Sequence, residues 1–179
     1  MNAALRLSSD FPREQCGVAV QWTRGRILDD FFPQTASQFR AWVNGQYAQT
    51  FALFSGETFC GFALVRRLNP HLAEIPAFLF DATVLNDDNR IVEGLSLLLE
   101  TLIAAGCGKV VIDFLEEDKR WLEILGAIGA IEEAWRRNHA RRGGKLAHVV
   151  QFGIHEDLFY LASGRFQAAQ QQEVLTGAM

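Results

Sequence analysis

Apolar and polar positions follow two rhythms along the chain, and the clearest change between them falls from Leu79 to Gly106. The run Phe78-Leu-Phe-Asp-Ala-Thr-Val-Leu85 is short and crowded with aromatic and β-branched residues, which predicts a strand. Beyond Asn86-Asp-Asp-Asn-Arg90, the residues Ile91, Leu95, Leu98 and Leu102 recur at i, i+4, i+7 and i+11. That spacing is the buried stripe of a helix running from about Asp87 to Ala105. The Asn and Asp residues between the two segments are types that cap helices by accepting the orphan N–H groups of the first turn. A buried strand feeding a helix N-terminus gathers N–H groups and the positive end of a macrodipole, a setting suited to phosphate. An ordinary strand–helix connection carries the same pattern.

The remaining elements follow in order. Residues up to about Gln15 are polar and are expected to lie loosely on the surface, with Cys16 to Trp22 as the first strand. Ile27 to Phe32 reads as a short helix stopped by Pro33, and Thr35 caps a second helix through Trp42 and Val43 that ends at Asn44-Gly45. Thr50–Phe54 and Thr58–Val65 flank Ser55-Gly-Glu57 as a hairpin. Leu72 to Leu85 is then a third antiparallel strand, with Pro76 marking an edge or a bulge. Lys109 to Leu115 is apolar on both faces, as a central strand would be. Lys119 to Ile128 predicts a helix with Trp121, Leu122, Leu125 and Ile128 on one side, and Ala130–Arg141 and Lys145–Ile154 form a hairpin around Gly143-Gly144. The result is a single mixed α/β domain over residues 1–179, with a core from about 16 to 154 and a partly disordered tail, 155–179.

Composition narrows the functional classes. A formal net charge of −4 argues against nucleic acid as a general partner, because phosphate backbones require an excess of Lys and Arg. Cys16, Cys60 and Cys107 are odd in number and lack C-x-x-C spacing, so neither a disulfide framework nor a zinc site is indicated; a reducing cytoplasmic compartment fits. No apolar run reaches the length of a membrane span. Arg136, Arg137, Arg141, Arg142 and Lys145 make the last hairpin basic, either for an acidic group or as a hydrated strand edge.

The order β-α-α-β-β-β-α-β-α-β-β, with an anion-suited helix start after the fourth strand, resembles the GNAT superfamily of acyl-CoA-dependent N-acetyltransferases. The segment Ile128-Gly-Ala-Ile-Glu-Glu-Ala-Trp-Arg-Arg-Asn-His139, followed by Gly143-Gly-Lys145 and His148 to Ile154, is similar to the end of the branch that acetylates ribosomal-protein N-termini. The likeness spans roughly Val18 to Ile154. It implies a mostly antiparallel sheet with a splayed β4/β5 pair, and acetyl-CoA as cosubstrate lying in the splay. The implied cofactor contacts are Val84, Leu85, Asn89, Arg90, Ile91, Val92, Glu93 and Gly94. The family's Gln or Arg, two residues, Gly, one residue, Gly or Ala falls here on Asn89, Val92 and Gly94, so a valine stands where a glycine would let the backbone approach phosphate. The position of the family's thiolate-protonating Ser or Tyr holds Trp121, which has no acid–base chemistry at neutral pH.

What the resemblance implies is transfer of an acetyl group to a primary amine, a protein N-terminus or a small molecule, by direct attack, which requires a base to deprotonate an ammonium. Asp81 is the first candidate and Glu74 the second; either is equally read as a solvated strand carboxylate. The rival reading is a GNAT-fold binding or assembly module without catalysis. A homodimer is left open.

Overall fold

The computed structural model describes residues 4–23, 35–44, 48–142 and 145–164. Among the described residues seven strands make one sheet: β1 (Leu5–Ser8), β2 (Gln49–Ser55), β3 (Thr58–Asn69), β4 (Leu72–Phe80), β5 (Lys109–Leu115), β6 (Ile131–Arg142) and β7 (Lys145–His155). Their order is β1-β2-β3-β4-β5-β7-β6, and every neighbouring pair is antiparallel except β4 and β5. The helices are α1 (Cys16–Thr23), α2 (Ala36–Val43), α3 (Ala82–Leu85), α4 (Asp88–Ala104) and α5 (Lys119–Ala127), and residues 156–164 add a further one after β7.

Period-two alternation along the strands separates two layers of core. Phe51, Leu53, Ala63, Ile75, Phe78, Phe80, Val110 and Ile112 point to one face, where they meet the stripe Ile91, Leu95, Leu98 and Leu102 of α4 together with Ile124 and Leu125 of α5. Ala52, Phe62, Leu64 and Ala77 point to the other and pack against Cys16, Ala19 and Val20 of α1 and Phe39 of α2. The α4 stripe is the one predicted. Gly94 lies where that helix crosses the sheet: a Cβ there would stand 2.7 Å from Leu53 Cδ2 and 3.1 Å from the Phe80 ring. Gly106, at φ +89°, closes the helix in the left-handed region.

Four expectations are corrected. Cys16 to Trp22 is helical, because its buried residues Cys16, Ala19, Val20 and Thr23 recur at i, i+3, i+4 and i+7 rather than every second position. The first strand is instead Leu5–Ser8, which pairs with Ala52–Ser55 and buries Leu5, so the N-terminal stretch is anchored. The run ending at Leu85 is a strand only to Phe80, since the Asp81 side chain caps a helical turn there. On α5 the buried face holds Ile124 and Leu125 with Ile128 just beyond, whereas Leu122 is exposed. The tail beyond His155 begins as helix and buries Phe159 completely. Thr35 caps α2 as expected, in a reciprocal capping box with Gln38. The helix expected over Ile27–Phe32, the Gly143-Gly144 turn and the chain after residue 164 lie outside the described residues.

Candidate active site

The sheet opens at one place. β4 and β5 run parallel and pair from Leu72↔Lys109 to Ile75↔Ile112, after which pairing between them stops although both strands continue. Beyond that point Ala77–Phe80 bonds only to β3 and Asp113–Leu115 only to β7. The cause is local. Pro76 has no N–H to donate, and the β3/β4 register shifts between Leu64↔Ala77 and Arg66↔Glu74, so two residues of β4 oppose one of β3. The extra residue turns β4 away from β5 and leaves a V-shaped crevice with unpaired backbone groups along its inner edges.

On the face opposite α4, a row of charged and polar side chains crosses the foot of the crevice. Arg66 on β3 holds Glu74 on β4 through its Nε at 2.9 Å. Asp113 on β5 accepts from Gln151 Nε2 at 3.1 Å and lies 3.3 Å from Arg136 Nη1, whose guanidinium also contacts His139 Nε2 at 3.3 Å. Asp113 is the first residue of β5 past the last β4 pair, and its side chain is 24 % exposed. Burial pushes its carboxyl above the ordinary 3.8, against the pull of Arg136 and the Gln151 hydrogen bond, and the nearby charge of Glu74 adds to the rise.

Asp81 has another task. Its Oδ1 accepts from Thr83 N at 3.0 Å, Val84 N at 3.0 Å and Thr83 Oγ1 at 2.7 Å, which fixes it as the cap of α3. Glu74 shares the face of Asp113 but is held by Arg66. Asp113 itself carried a readable signal, a carboxylate inside the apolar run Val110–Leu115, since an unpaired charge is rarely built into a covered strand.

The expected cofactor residues divide by environment. Val84, Ile91, Val92 and Gly94 are buried in the core, and Leu85 packs against it. Glu93 accepts the backbone N–H of Leu5 at 2.8 Å and so ties β1 to α4. Arg90 Nη2 donates to Ser55 Oγ at 2.9 Å. Asn89, Arg90, Val92 and Glu93 do share a groove of about 380 Å³ with Ser96 and Glu100 of α4. On the α4 side of the crevice, Phe114 of β5 stacks on Trp121 of α5 with centroids 4.7 Å apart. Among the described residues no group of His, Cys, Asp and Glu side chains is arranged to hold a metal.

The long-range architecture has clear counterparts. The chain is similar to a ribosomal-protein-S18-alanine N-acetyltransferase from Escherichia coli, with a TM-score of 0.67 at 14 % identity over 84 % of this chain and 93 % of that one. It is similar to a spermidine N-acetyltransferase from Vibrio cholerae, solved in complex with CoA and spermine, with a TM-score of 0.75 at 11 % identity over 87 % and 98 %. A putative acetyltransferase structure matches with a TM-score of 0.74 at 15 % identity over 94 % and 91 %. No family model and no curated protein sequence matches the chain. At these identities the likeness is one of fold, and the fold is that of the GNAT N-acetyltransferases.

Proposed function

On that GNAT fold, we propose that this chain is an N-acetyltransferase that moves an acetyl group from acetyl-CoA to a primary amine, a protein N-terminus or a small molecule. The observation that carries this reading is the parting of β4 from β5 after Ile75 and Ile112, which leaves a crevice edged by backbone donors and acceptors with the Asp113 carboxylate at its foot. Acetyl-CoA would supply a thioester carbon open to attack. The extended pantetheine arm fits between two strand edges, where amide groups pair as a missing strand would. The nucleotide end meets no comparable cradle, since the Asn89 and Arg90 N–H groups at the start of α4 are engaged by Asp87.

In this reading Asp113 is the base. An amine arriving as ammonium carries a proton that must leave before nitrogen can attack, and a carboxylate whose proton affinity is raised by burial is a better acceptor than an exposed one. Arg136 and Gln151 fix its orientation. As the C–N bond forms, a backbone N–H on the inner edge of Ala77–Phe80 steadies the oxygen that gains charge. The C–S bond then breaks with its electron pair on sulfur, nitrogen gives up its second proton to solvent as the amide forms, and the thiolate takes up a proton from solvent, because Trp121 is stacked on Phe114 and has no acidic proton to give. No covalent intermediate is needed, in keeping with three buried cysteines, of which Cys60 is pushed up to about 11 by burial.

The partners of this reading are acetyl-CoA and an amine. A cytoplasmic setting is supported by the buried free thiols, and no helix among the described residues is long and apolar enough to cross a membrane. Calorimetric titration with acetyl-CoA and with coenzyme A tests the first step. Micromolar binding is expected, followed by acetylation of members of a primary-amine panel. Absence of binding at millimolar concentration would refute the enzyme and leave the fold as a binding or assembly module.

A further inference from the structure

A pyrophosphate is held at a helix start by free backbone N–H groups and the positive end of the dipole. Here the N–H groups of Asp87, Asn89, Arg90 and Ile91 are already engaged. Asp87 Oδ1 accepts from Asn89 N at 3.1 Å and Arg90 N at 3.3 Å, Ile91 N donates to Asp87 O at 3.1 Å, and Asp87 N donates to Val84 O at 3.0 Å. Asp81 takes the N–H groups of Thr83 and Val84 in the same way. Arg120 Nε bonds Asp88 Oδ1 at 2.6 Å, which ties the start of α5 to the start of α4. Three carboxylates, Asp81, Asp87 and the Arg120-paired Asp88, therefore stand along the connection where a polyanion would lie, and the groove beside α4 adds Glu93 and Glu100 together with Arg90, whose guanidinium is held by Ser55.

We propose, resting on the acyltransfer reading of the crevice, that this protein grips its donor by the pantetheine arm alone and accepts pantetheine thioesters that carry no adenosine nucleotide. The strand edges of β4 and β5 recognise amides, which pantetheine supplies and the nucleotide does not.

The test is calorimetric titration of the full chain with coenzyme A, pantetheine and adenosine 3′,5′-bisphosphate. Coenzyme A and pantetheine are expected to bind within about threefold of each other, and the bisphosphate neither to bind nor to displace either. Coenzyme A binding about tenfold or more tightly than pantetheine, with the bisphosphate competing, would overturn the proposal while leaving the acyltransferase standing. Failure of both thiols to bind at millimolar concentration would overturn both. Asp87→Ser keeps a side-chain cap and removes the charge; it is expected to give coenzyme A an advantage over pantetheine of about threefold or more. An unchanged ratio in that variant would overturn the role given to Asp87.

Discussion

Asp113→Asn separates chemistry from stability, because the two effects differ in size. The change is nearly isosteric and keeps an acceptor oxygen for Gln151 Nε2, now at 3.1 Å from the carboxylate. It removes the partner of Arg136, a pair 3.3 Å apart with side chains 33 % and 24 % exposed. Such a part-exposed pair contributes about 0–1 kcal/mol, and loss of a partly desolvated charge offsets some of that. For a domain of this size about 1 kcal/mol moves Tm by roughly 2–4 °C. A general base, in contrast, is worth about 10²–10⁴-fold in rate, or about 2.7–5.4 kcal/mol of barrier. The expected result is a fall in kcat of at least about a hundredfold with KM for acetyl-CoA unchanged and Tm within a few degrees of the parent. The pH dependence supplies a second readout. The folded carboxyl sits above its ordinary 3.8, so the folded state binds this proton more tightly than the unfolded state. Its contribution to stability therefore falls as pH rises from the ordinary value through the folded one, and Asn, which does not titrate, removes that slope. The activity profile should lose its acidic limb. An Asn variant that keeps activity within about threefold, with an unchanged pH profile, would refute Asp113 as the base.

Three further outcomes are expected. Phe159→Ala empties a site with no exposed surface and should cost about 3–5 kcal/mol, read as a drop in Tm, and it should loosen the helix over residues 156–164. Glu93→Ala leaves the Leu5 N–H without its acceptor at 2.8 Å and should cost about 1–3 kcal/mol, with faster amide exchange at Leu5, whereas Glu93→Gln keeps an acceptor oxygen and should stay close to the parent. Val92→Gly should lose about 1 kcal/mol of helix propensity as well as buried apolar surface, and it should leave affinity for coenzyme A unchanged in titration; a tenfold gain in affinity would show that the valine blocks a phosphate site.

That expectation for Val92 explains where the sequence could be read and where it could not. The stripe Ile91, Leu95, Leu98 and Leu102, the capping Thr35 and the bulge at Pro76 are local patterns, and each appears in the fold as its pattern predicts. Cys16 to Trp22 misled because a short apolar run satisfies both periods, and only burial at Cys16, Ala19, Val20 and Thr23 distinguishes them. Asp113 stands out as a carboxylate in an apolar run, but its contacts with Gln151 and Arg136 lie far along the chain, and the capping role of Asp81 depends on where β4 ends. Val92 is the most instructive case. A glycine is needed at that position only where the backbone meets phosphate at a helix start, and a helix leaves only its first four N–H groups without an internal partner. With Asp87 as cap, α4 begins at Asp88, so Val92 is its fifth residue and its N–H belongs to the internal ladder. With the helix already under way at that position, glycine has no phosphate to admit, and the valine side chain, 5 % exposed, fills the core. The capping aspartate and the buried valine are thus consistent with each other: the cap sets where the helix begins, and that start places Val92 in the core. Restoring glycine alone would not rebuild the cradle, because Asp87 would still hold the N–H groups of Asn89 and Arg90.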